Sequence, residues 1–116
     1  RRADMVHRAN TRAGDLTLLD RKRLELARAL ATEPDVLLLD EIAGGLTEAE
    51  VHELVATIQG IHAGGTSIVW IEHIVHALLK VVDRMMAMDY GRKLVEGDPH
   101  EVMASDEVKS VYLGDE

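Results

Sequence analysis

Two neighbouring carboxylates, Asp40 and Glu41, have the clearest chemical potential in this sequence. They follow the continuously apolar run 36–39 (VLLL), which is typical of a strand buried on both faces of a parallel sheet. Ligands of α/β folds bind at the carboxyl ends of such strands, and adjacent strand residues point to opposite sides. One carboxylate can therefore assist a Mg²⁺ ion while the next acts as a base, as on the metal side of a nucleotide site. Many ordinary strands also end in acidic residues, so this run alone does not identify a site.

A histidine, His73, closes the next apolar run, residues 66–71 (TSIVWI). Because parallel strands end at the same edge of a sheet, we expect His73 to lie near Asp40 and Glu41. A neutral imidazole there could accept a hydrogen bond from a water or donate one to a phosphate. The alternative is a surface histidine at a strand end. Glu72 and His76 also suggest metal ligands, but no third ligand follows at a matching spacing, so a structural metal is not favoured.

Two helices must position these strands. The first is predicted from residue 20, with Asp20 as the N-cap, to a point before Pro34, and its apolar side chains recur at helical spacing (Leu24, Ala27, Leu30 and Ala31). The second is predicted over about residues 48–62, because Thr47 and Glu50 form a capping-box sequence. Its buried face should hold Val51, Leu54, Val55 and Ile58.

The remaining sequence predicts a helix over 74–80, an extended segment over 82–88, a turn at Tyr90 and Gly91, and a returning strand over 92–96. Asp98 and Pro99 then open a last helical stretch. Such alternation of helices and strands indicates an α/β domain with a mostly parallel sheet and a C-terminal hairpin. Residues 1–15 are polar and weakly periodic, and we expect them to be poorly ordered except where they contact the rest.

Composition excludes several classes of function. The chain has 116 residues, no cysteine and no apolar run of 18 residues, which argues against disulfides, a membrane span and a secretory signal. Its net charge of −8 contains a basic start, with eight Lys/Arg against four Asp/Glu in residues 1–28. No aromatic residue interleaves with those arginines to stack bases, so we interpret this start as a solvated helix face and expect no nucleic-acid partner.

Together these segments resemble the second half of an ABC-type ATPase domain. The resemblance runs almost continuously from about Leu16 to the C-terminus, through RLELARALATEPDVLLLDE, GGL, SIVWIEH and VDRMMAMDYGRKLVEGDPHEV. The tail, with Val108 and Tyr112-Leu113-Gly114, is similar to that of ATP-binding subunits of branched-chain amino acid importers. The implied fold is a partial P-loop NTPase (RecA-like) domain, with residues 1–116 as the C-terminal portion of one ABC ATP-binding domain.

The resemblance also implies roles for individual residues. Asp40 matches the Mg²⁺-assisting carboxylate of the Walker B strand, Glu41 the catalytic glutamate that polarises the attacking water, and His73 the switch histidine that contacts the γ-phosphate. A further loop matches the D-loop at the dimer interface: Gly44, Gly45, Leu46 and Thr47. The nucleotide-facing signature loop, usually Leu-Ser-Gly-Gly-Gln, corresponds to Leu16, Thr17, Leu18, Leu19 and Asp20.

Departures from the family pattern bear on function. Leu18 and Leu19 are bulky where glycines normally let backbone N–H groups approach a partner's phosphate, although Thr17 keeps a hydroxyl there. Thr47 replaces the D-loop acid, and Ile42 replaces the usual proline. No G-x-x-x-x-G-K-[ST] sequence, the Walker A loop that cradles the phosphates, occurs in the chain. We therefore expect Mg-ATP in a complete domain but none bound to these residues alone.

The resemblance implies a subunit that hydrolyses ATP to power transport, most simply import of branched-chain amino acids or similar small solutes. Its partners would be a second ATP-binding subunit and membrane permease subunits, at the cytoplasmic face of the cell membrane. In the family the P-loop strand lies between the strands matching 66–71 and 82–88, so we expect the isolated chain to be inactive and to self-associate through open strand edges. The alternatives are a non-catalytic regulatory or interaction module on the same fold, and a DNA-repair or chromosome ATPase head, which the importer-like tail and the absence of heptads disfavour.

Overall fold

A computed structural model describes residues 2–112, and helices alternate with strands from Leu18 to the first strand of a C-terminal hairpin, which two helices follow. The chain divides into two compact units after Ala77. Unit 1 contains the helices and strands around Asp40 and His73, and unit 2 contains the hairpin and the last helices. The Leu113 and Gly114 part of the importer-like tail lies outside the described residues.

Unit 1 is built on one parallel pair of strands. Helix α1 (Leu18–Leu30) precedes β1 (Val36–Asp40), and α2 (Glu48–Ala63) connects β1 to β2 (Ser67–Ile71). The two strands pair in parallel with Val36 opposite Ser67 and Asp40 opposite Ile71. Helix α3 (Val75–Leu79) follows β2 and spans the division between the units. The α/β prediction, including the β–α–β order, is confirmed.

Helix α1 begins earlier than predicted. Its N-cap is Thr17, whose hydroxyl accepts a hydrogen bond from the backbone N–H of Asp20 at 3.2 Å. The prediction that Asp20 caps this helix was therefore wrong. Thr17 has the extended backbone that an N-cap requires (φ −65°, ψ 165°), whereas Asp20 lies one turn inside, where its N–H is the donor that needs a cap. The second predicted cap is confirmed, because Thr47 and Glu50 form both hydrogen bonds of a capping box.

The core of unit 1 is aliphatic and lies on one face of the β1–β2 pair. Helix α1 contributes Leu19 and Leu26, which are more deeply buried than the predicted Leu24, Ala27, Leu30 and Ala31. Ala27 and Leu30 pack at the edge of the same cluster. The buried residues of the cluster are Ala3, Leu19, Leu26, Leu37, Leu39, Leu54, Ile58 and Ile61. All four residues predicted for the inner face of α2 are buried.

The opposite face of the β1–β2 pair is uncovered. Leu37 and Leu39 of β1 are 4% and 5% exposed, but Leu38 between them is 73% exposed. Val69 and Ile71 of β2 are exposed in the same way. The expectation that this strand is buried on both faces was wrong for the described residues, because side chains alternate along a strand and only one set meets α1 and α2.

The polar start of the chain is anchored to unit 1. Ala3 is buried in the core cluster, and the Arg2 guanidinium donates to the Ile61 carbonyl at 3.0 Å and to the Thr66 hydroxyl at 2.6 Å. Short 3₁₀ turns at Val6–Arg8 and Ala13–Asp15 lead from there to α1.

Unit 2 is a β-hairpin that packs on two short helices. Strands β3 (Met85–Asp89) and β4 (Arg92–Gly97) pair antiparallel, and the turn residues Tyr90 and Gly91 both have positive φ, as a type I′ hairpin turn requires. Helices α4 (Pro99–Ala104) and α5 (Asp106–Tyr112) follow, and Asp98 caps α4 as predicted. The extended segment starts at Met85 and not at residue 82. Hydrogen bonds from Arg84 and Lys93 lower the pKa of Glu96 on β4.

The helices within residues 2–112 are all too short or too polar to cross a lipid bilayer.

Replacing Leu19 by Ala should lower the free energy of unfolding of unit 1 by about 2–5 kcal/mol, because it removes a buried side chain from the core. The matched change Leu18→Ala should cost about 1 kcal/mol or less, since Leu18 is 42% exposed. Urea unfolding followed by the fluorescence of Trp70, the only tryptophan, measures both. Equal losses in the two variants would contradict this division between a core and a surface leucine.

Candidate functional site

The loops that follow β1 and β2 meet at one edge of the parallel pair. The backbone N–H of Glu41 donates to the Ile71 carbonyl at 2.7 Å, which extends the strand pairing by one residue beyond Asp40. Glu41 consequently lies beside the residues that follow Ile71, which are Glu72 and His73. The parallel arrangement thus brings together the side chains that the sequence separates by about thirty residues.

Glu41 and His73 face each other across this edge. The Nδ1 atom of His73 lies 3.6 Å from Oε1 of Glu41 and 3.4 Å from Oε1 of Glu72. The side chains of Glu41 and His73 are 57% and 66% exposed, so both are accessible to water and to a ligand. An exposed carboxylate next to an imidazole can orient a water molecule and accept its proton.

The backbone turns sharply at Glu41. Its φ of +51° lies in the left-handed region, which costs a residue with a side chain about 1–3 kcal/mol and is retained only when the surroundings enforce it. Glu41 is one of several non-glycine residues with this conformation, alongside Asp4, Glu33 and Tyr90. At Glu41 the turn ends the strand and redirects the chain into the following loop.

Glu72 is the residue of this site whose role the sequence reasoning missed, having considered it only as a metal ligand. Its side chain is fully buried, and its carboxylate accepts hydrogen bonds from the backbone N–H groups of Ala43 at 3.2 Å, His73 at 3.0 Å and Ile74 at 3.4 Å. It joins the loop after β1 to the loop after β2. The signal that could have found it is a Glu directly between an apolar strand and the candidate histidine.

Asp40 is exposed at the end of β1, on the same side of the strand as Val36 and Leu38. Mg²⁺ binds through one or two carboxylates together with phosphate oxygens and waters, so a single accessible aspartate fits the predicted assisting role. Within residues 2–112, no three His, Asp or Glu side chains converge to hold a metal ion by themselves.

The predicted signature loop forms the start of α1. The hydroxyl of Thr17 is the helix cap, Leu19 is 5% exposed in the core, and the carboxylate of Asp20 is paired with Arg8 at 3.1 Å and Arg23 at 3.2 Å. Leu19 and Asp20 are thus engaged within unit 1. Thr17 and Leu18 remain accessible to a partner.

The predicted interface loop lies against Leu18. Gly45 has a φ of +81°, and a Cβ atom on it would come within 3.0 Å of Cδ2 of Leu18. Thr47 ends the loop as the cap of α2, and Leu46 packs at the edge of the core. The structure therefore places the start of α1 next to the loop that contains Gly44 and Gly45.

Comparison with known proteins gives a consistent result. The chain is 35% identical to the high-affinity branched-chain amino acid transport ATP-binding protein LivG of Salmonella typhimurium, over 98% of this chain and 45% of that protein. The chain matches the C-terminal part of ABC transporter ATP-binding proteins. It spans less than half the length of these relatives. It is also 34% identical to the Nod factor export ATP-binding protein I of Rhizobium johnstonii, over 97% of this chain and 37% of that protein.

Solved structures confirm the fold. An ATP-binding cassette of an ABC transporter in its ADP conformation superposes with a TM-score of 0.89 at 25% identity, covering 98% of this chain and 46% of that one. The component cbiO1 of an ABC transporter complex from Clostridium perfringens gives 0.83 at 30% identity, covering 97% and 45%. The described elements therefore form part of a P-loop NTPase domain, as predicted. No protein-family model matches the chain.

Gly45→Ala should lower the stability of unit 1 by about 1–2 kcal/mol, because it forces a side chain into the left-handed region beside Leu18. The matched control is Gly60→Ala, which should raise stability by about 0.5–1 kcal/mol, since Gly60 lies in α2 with nothing within 4 Å of an added Cβ. Urea unfolding of both variants checks the opposite signs. A neutral Gly45→Ala change would show that this loop does not require its left-handed conformation.

Proposed function

We propose that this chain supplies the hydrolytic side of the nucleotide site in an ABC-type ATPase subunit that powers membrane transport. The observation that carries the proposal is the pairing of β1 with β2, which places Glu41 within 3.6 Å of His73 next to the exposed carboxylate of Asp40. The similarity to ATP-binding subunits over 98% of the chain supports the same reading.

Each residue has a distinct role in this proposal. Glu41 orients the attacking water and accepts its proton, for which an exposed carboxylate on a rigid turn is suited. His73 contacts the γ-phosphate or that water through its imidazole ring. Asp40 assists Mg²⁺, which neutralises charge on the phosphates of ATP when it is bound. The chain has no Walker A sequence, so the phosphate cradle must come from other residues and these 116 residues alone should hold ATP negligibly.

We further propose that the transported solutes are branched-chain amino acids or similar small molecules. The support is the similarity to LivG proteins and to the branched-chain amino acid transport protein BraF of Pseudomonas aeruginosa, which is 32% identical over 92% of this chain. An exporter subunit is almost as similar, at 34% identity. The solute is bound by other subunits in such an arrangement, so these residues do not themselves discriminate between solutes.

The implied partners are a second ATP-binding subunit and membrane permease subunits, with the assembly at the inner face of the cell membrane and the chain on its cytoplasmic side. The loop with Gly44, Gly45, Leu46 and Thr47 would contact the second subunit. Thr17 and Leu18 are accessible beside Gly45, which supports one continuous contact surface made from both loops.

A non-catalytic module on the same fold is the second candidate. The observation that favours it is the start of α1, where Leu19 is a core residue and Asp20 is engaged by two arginines. Backbone N–H groups at this helix start are therefore flanked by a bulky Leu18 instead of the glycine that lets a phosphate approach. Such a module would bind partners through the same surface without hydrolysing ATP.

A hybrid protein tests hydrolysis, with this chain replacing the corresponding C-terminal part of Salmonella LivG. We expect ATPase activity that Glu41→Gln lowers by about 10²–10⁴-fold without loss of ATP binding, because the change removes the base but keeps the shape of the side chain. Glu53→Gln, an exposed acid on α2, is the matched control and should leave the rate unchanged. Phosphate release measures turnover, and calorimetry with Mg-ATP measures binding.

Three outcomes would count against the proposal. A hybrid that binds ATP without hydrolysing it would favour the non-catalytic module. Hydrolysis that persists in both Glu41→Gln and His73→Ala would remove these residues from the catalytic set. A micromolar dissociation constant of the unfused chain for Mg-ATP, about −8 kcal/mol, would reveal a nucleotide site that does not depend on a Walker A loop.

We also propose that the isolated chain self-associates through the open edges of β2 and β3, as the sequence predicts, and through the uncovered face of the β1–β2 pair. Within residues 2–112, β2 hydrogen-bonds to β1 and to no other strand, which leaves backbone groups open to another chain. The exposed apolar side chains of the face are Val36, Leu38, Val69 and Ile71.

Leu38→Lys should weaken this self-association by roughly tenfold or more, because it places a charge where a leucine would be buried. Val6→Lys is the control, since Val6 is also an exposed apolar residue of unit 1 but lies outside this face. Light scattering over a concentration series measures both. A wild-type chain that stays monomeric at every concentration would contradict the proposal.

A further inference from the structure

We infer that Glu72 is a positioning residue of the candidate site, which determines the ring nitrogen of His73 that carries the proton and holds the turn after Glu41 in place. Its functional meaning rests on the roles proposed above for Glu41 and His73. The geometry on which it depends lies wholly within unit 1 and requires no nucleotide.

Burial distinguishes Glu72 from the other acids of this edge. Its side chain is 0% exposed, whereas that of Glu41 is 57% exposed. A buried carboxylate is costly unless hydrogen bonds compensate for the lost water. Here three backbone N–H groups donate to it, from Ala43 to Oε2 and from His73 and Ile74 to Oε1. Both oxygens are therefore used, and the carboxylate has a defined orientation.

This carboxylate connects two loops that the sequence holds far apart. Ala43 precedes Glu72 by 29 positions and lies two residues beyond Glu41. Together with the bond from Glu41 N–H to the Ile71 carbonyl, the contact restrains the loop on both sides of Glu41. The side chain of Glu72 thus acts on the position of Glu41 without lying at the surface where a substrate would bind.

The same carboxylate acts on the ring of His73. Its Oε1 atom lies 3.4 Å from Nδ1, and Oε1 of Glu41 approaches the same nitrogen at 3.6 Å. These distances are long for hydrogen bonds, but a lone pair on Nδ1 would face two carboxylate oxygens and be repelled by both. An N–H at Nδ1 is attracted instead, so Nδ1 carries the proton of the neutral ring.

The position of this proton determines which hydrogen bonds the His73 ring can make with a ligand. In the neutral ring with the proton on Nδ1, Nε2 is a hydrogen-bond acceptor. Such a ring accepts from a water and does not donate to a phosphate. Donation to a phosphate from Nε2 requires a second proton on the ring. By keeping the proton on Nδ1, Glu72 makes Nε2 of the neutral His73 ring a hydrogen-bond acceptor for water.

Long-range ¹H–¹⁵N NMR of the imidazole rings tests the inference on the 116-residue chain itself, at a pH where the ring is neutral. We expect the wild-type His73 ring to show a protonated Nδ1 and an unprotonated Nε2, with the signals assigned by their loss in His73→Asn. Glu72→Gln keeps one oxygen to accept from the Ala43 N–H and places an NH₂ donor beside Nδ1, so the ring should shift toward the Nε2–H form. Glu53→Gln makes the same change on α2 and should leave His73 unaffected.

Hydrogen exchange separates positioning from a general structural role. Glu72→Ala should speed exchange of the Ala43, His73 and Ile74 amides as well as shift the ring, whereas Glu72→Gln should shift the ring and keep protection of the Ala43 amide alone, because its single oxygen cannot accept from both loops. An Nε2–H ring in the wild-type chain would overturn the inference, and that measurement stands even where a variant fails to fold. An unchanged ring in a folded Glu72→Gln variant would overturn it too, while inactivity of the LivG hybrid would overturn only the proposed function.

Discussion

The parallel pairing of β1 with β2 is the constraint on which the site depends. It sets Asp40 opposite Ile71, and the additional bond from the Glu41 N–H carries the pairing one residue further. Because both strands end at the same edge, the loops that follow them have to share that edge. Glu41 and His73 become neighbours for this reason, and no local interaction along the chain could bring them together.

The pairing is supported from one side. The helices α1 and α2 cover the face with Leu37 and Leu39, where the aliphatic core of unit 1 lies. The other face, with Leu38 and Val69, is apolar and exposed. Uncovered apolar area of this kind usually marks a contact surface. The residues that correspond to this chain make up less than half of the solved ATP-binding cassettes. Those proteins therefore have further residues that could cover the face with Leu38 and Val69.

The start of α1 shows how residues at a predicted site can serve the fold instead. Thr17 caps the helix, Leu19 fills the core, and Asp20 is held between two arginines. Only Thr17 and Leu18 of this group remain at the surface, and Leu18 rests against Gly45. Leu19 therefore has a structural role in this chain, since it packs in the core, whereas Leu18 stays largely exposed.

The sequence by itself determined the elements and their order. The capping box at Thr47, the alternation of helices with apolar runs and the turn at Tyr90 and Gly91 all depend on local backbone preferences, which neighbouring residues specify. Asp40, Glu41 and His73 could also be singled out, because each follows an apolar run that the sequence marks as a strand.

The tertiary structure decided which sides of α1 and β1 are buried. Periodicity placed the inner side of α1 on Leu24, but packing against β1 and α2 selects Leu19 and Leu26, because the angle at which a helix meets a sheet is set by both surfaces. The N-cap of α1 is Thr17 and not Asp20, because Asp20 lies in the first turn of the helix. The carboxylate of Asp20 pairs there with Arg8 and Arg23. The bond between Glu72 and Ala43 also depends on tertiary structure, because these residues become neighbours only when β1 and β2 pair. Contacts between distant segments form only on folding, and local sequence patterns do not specify them.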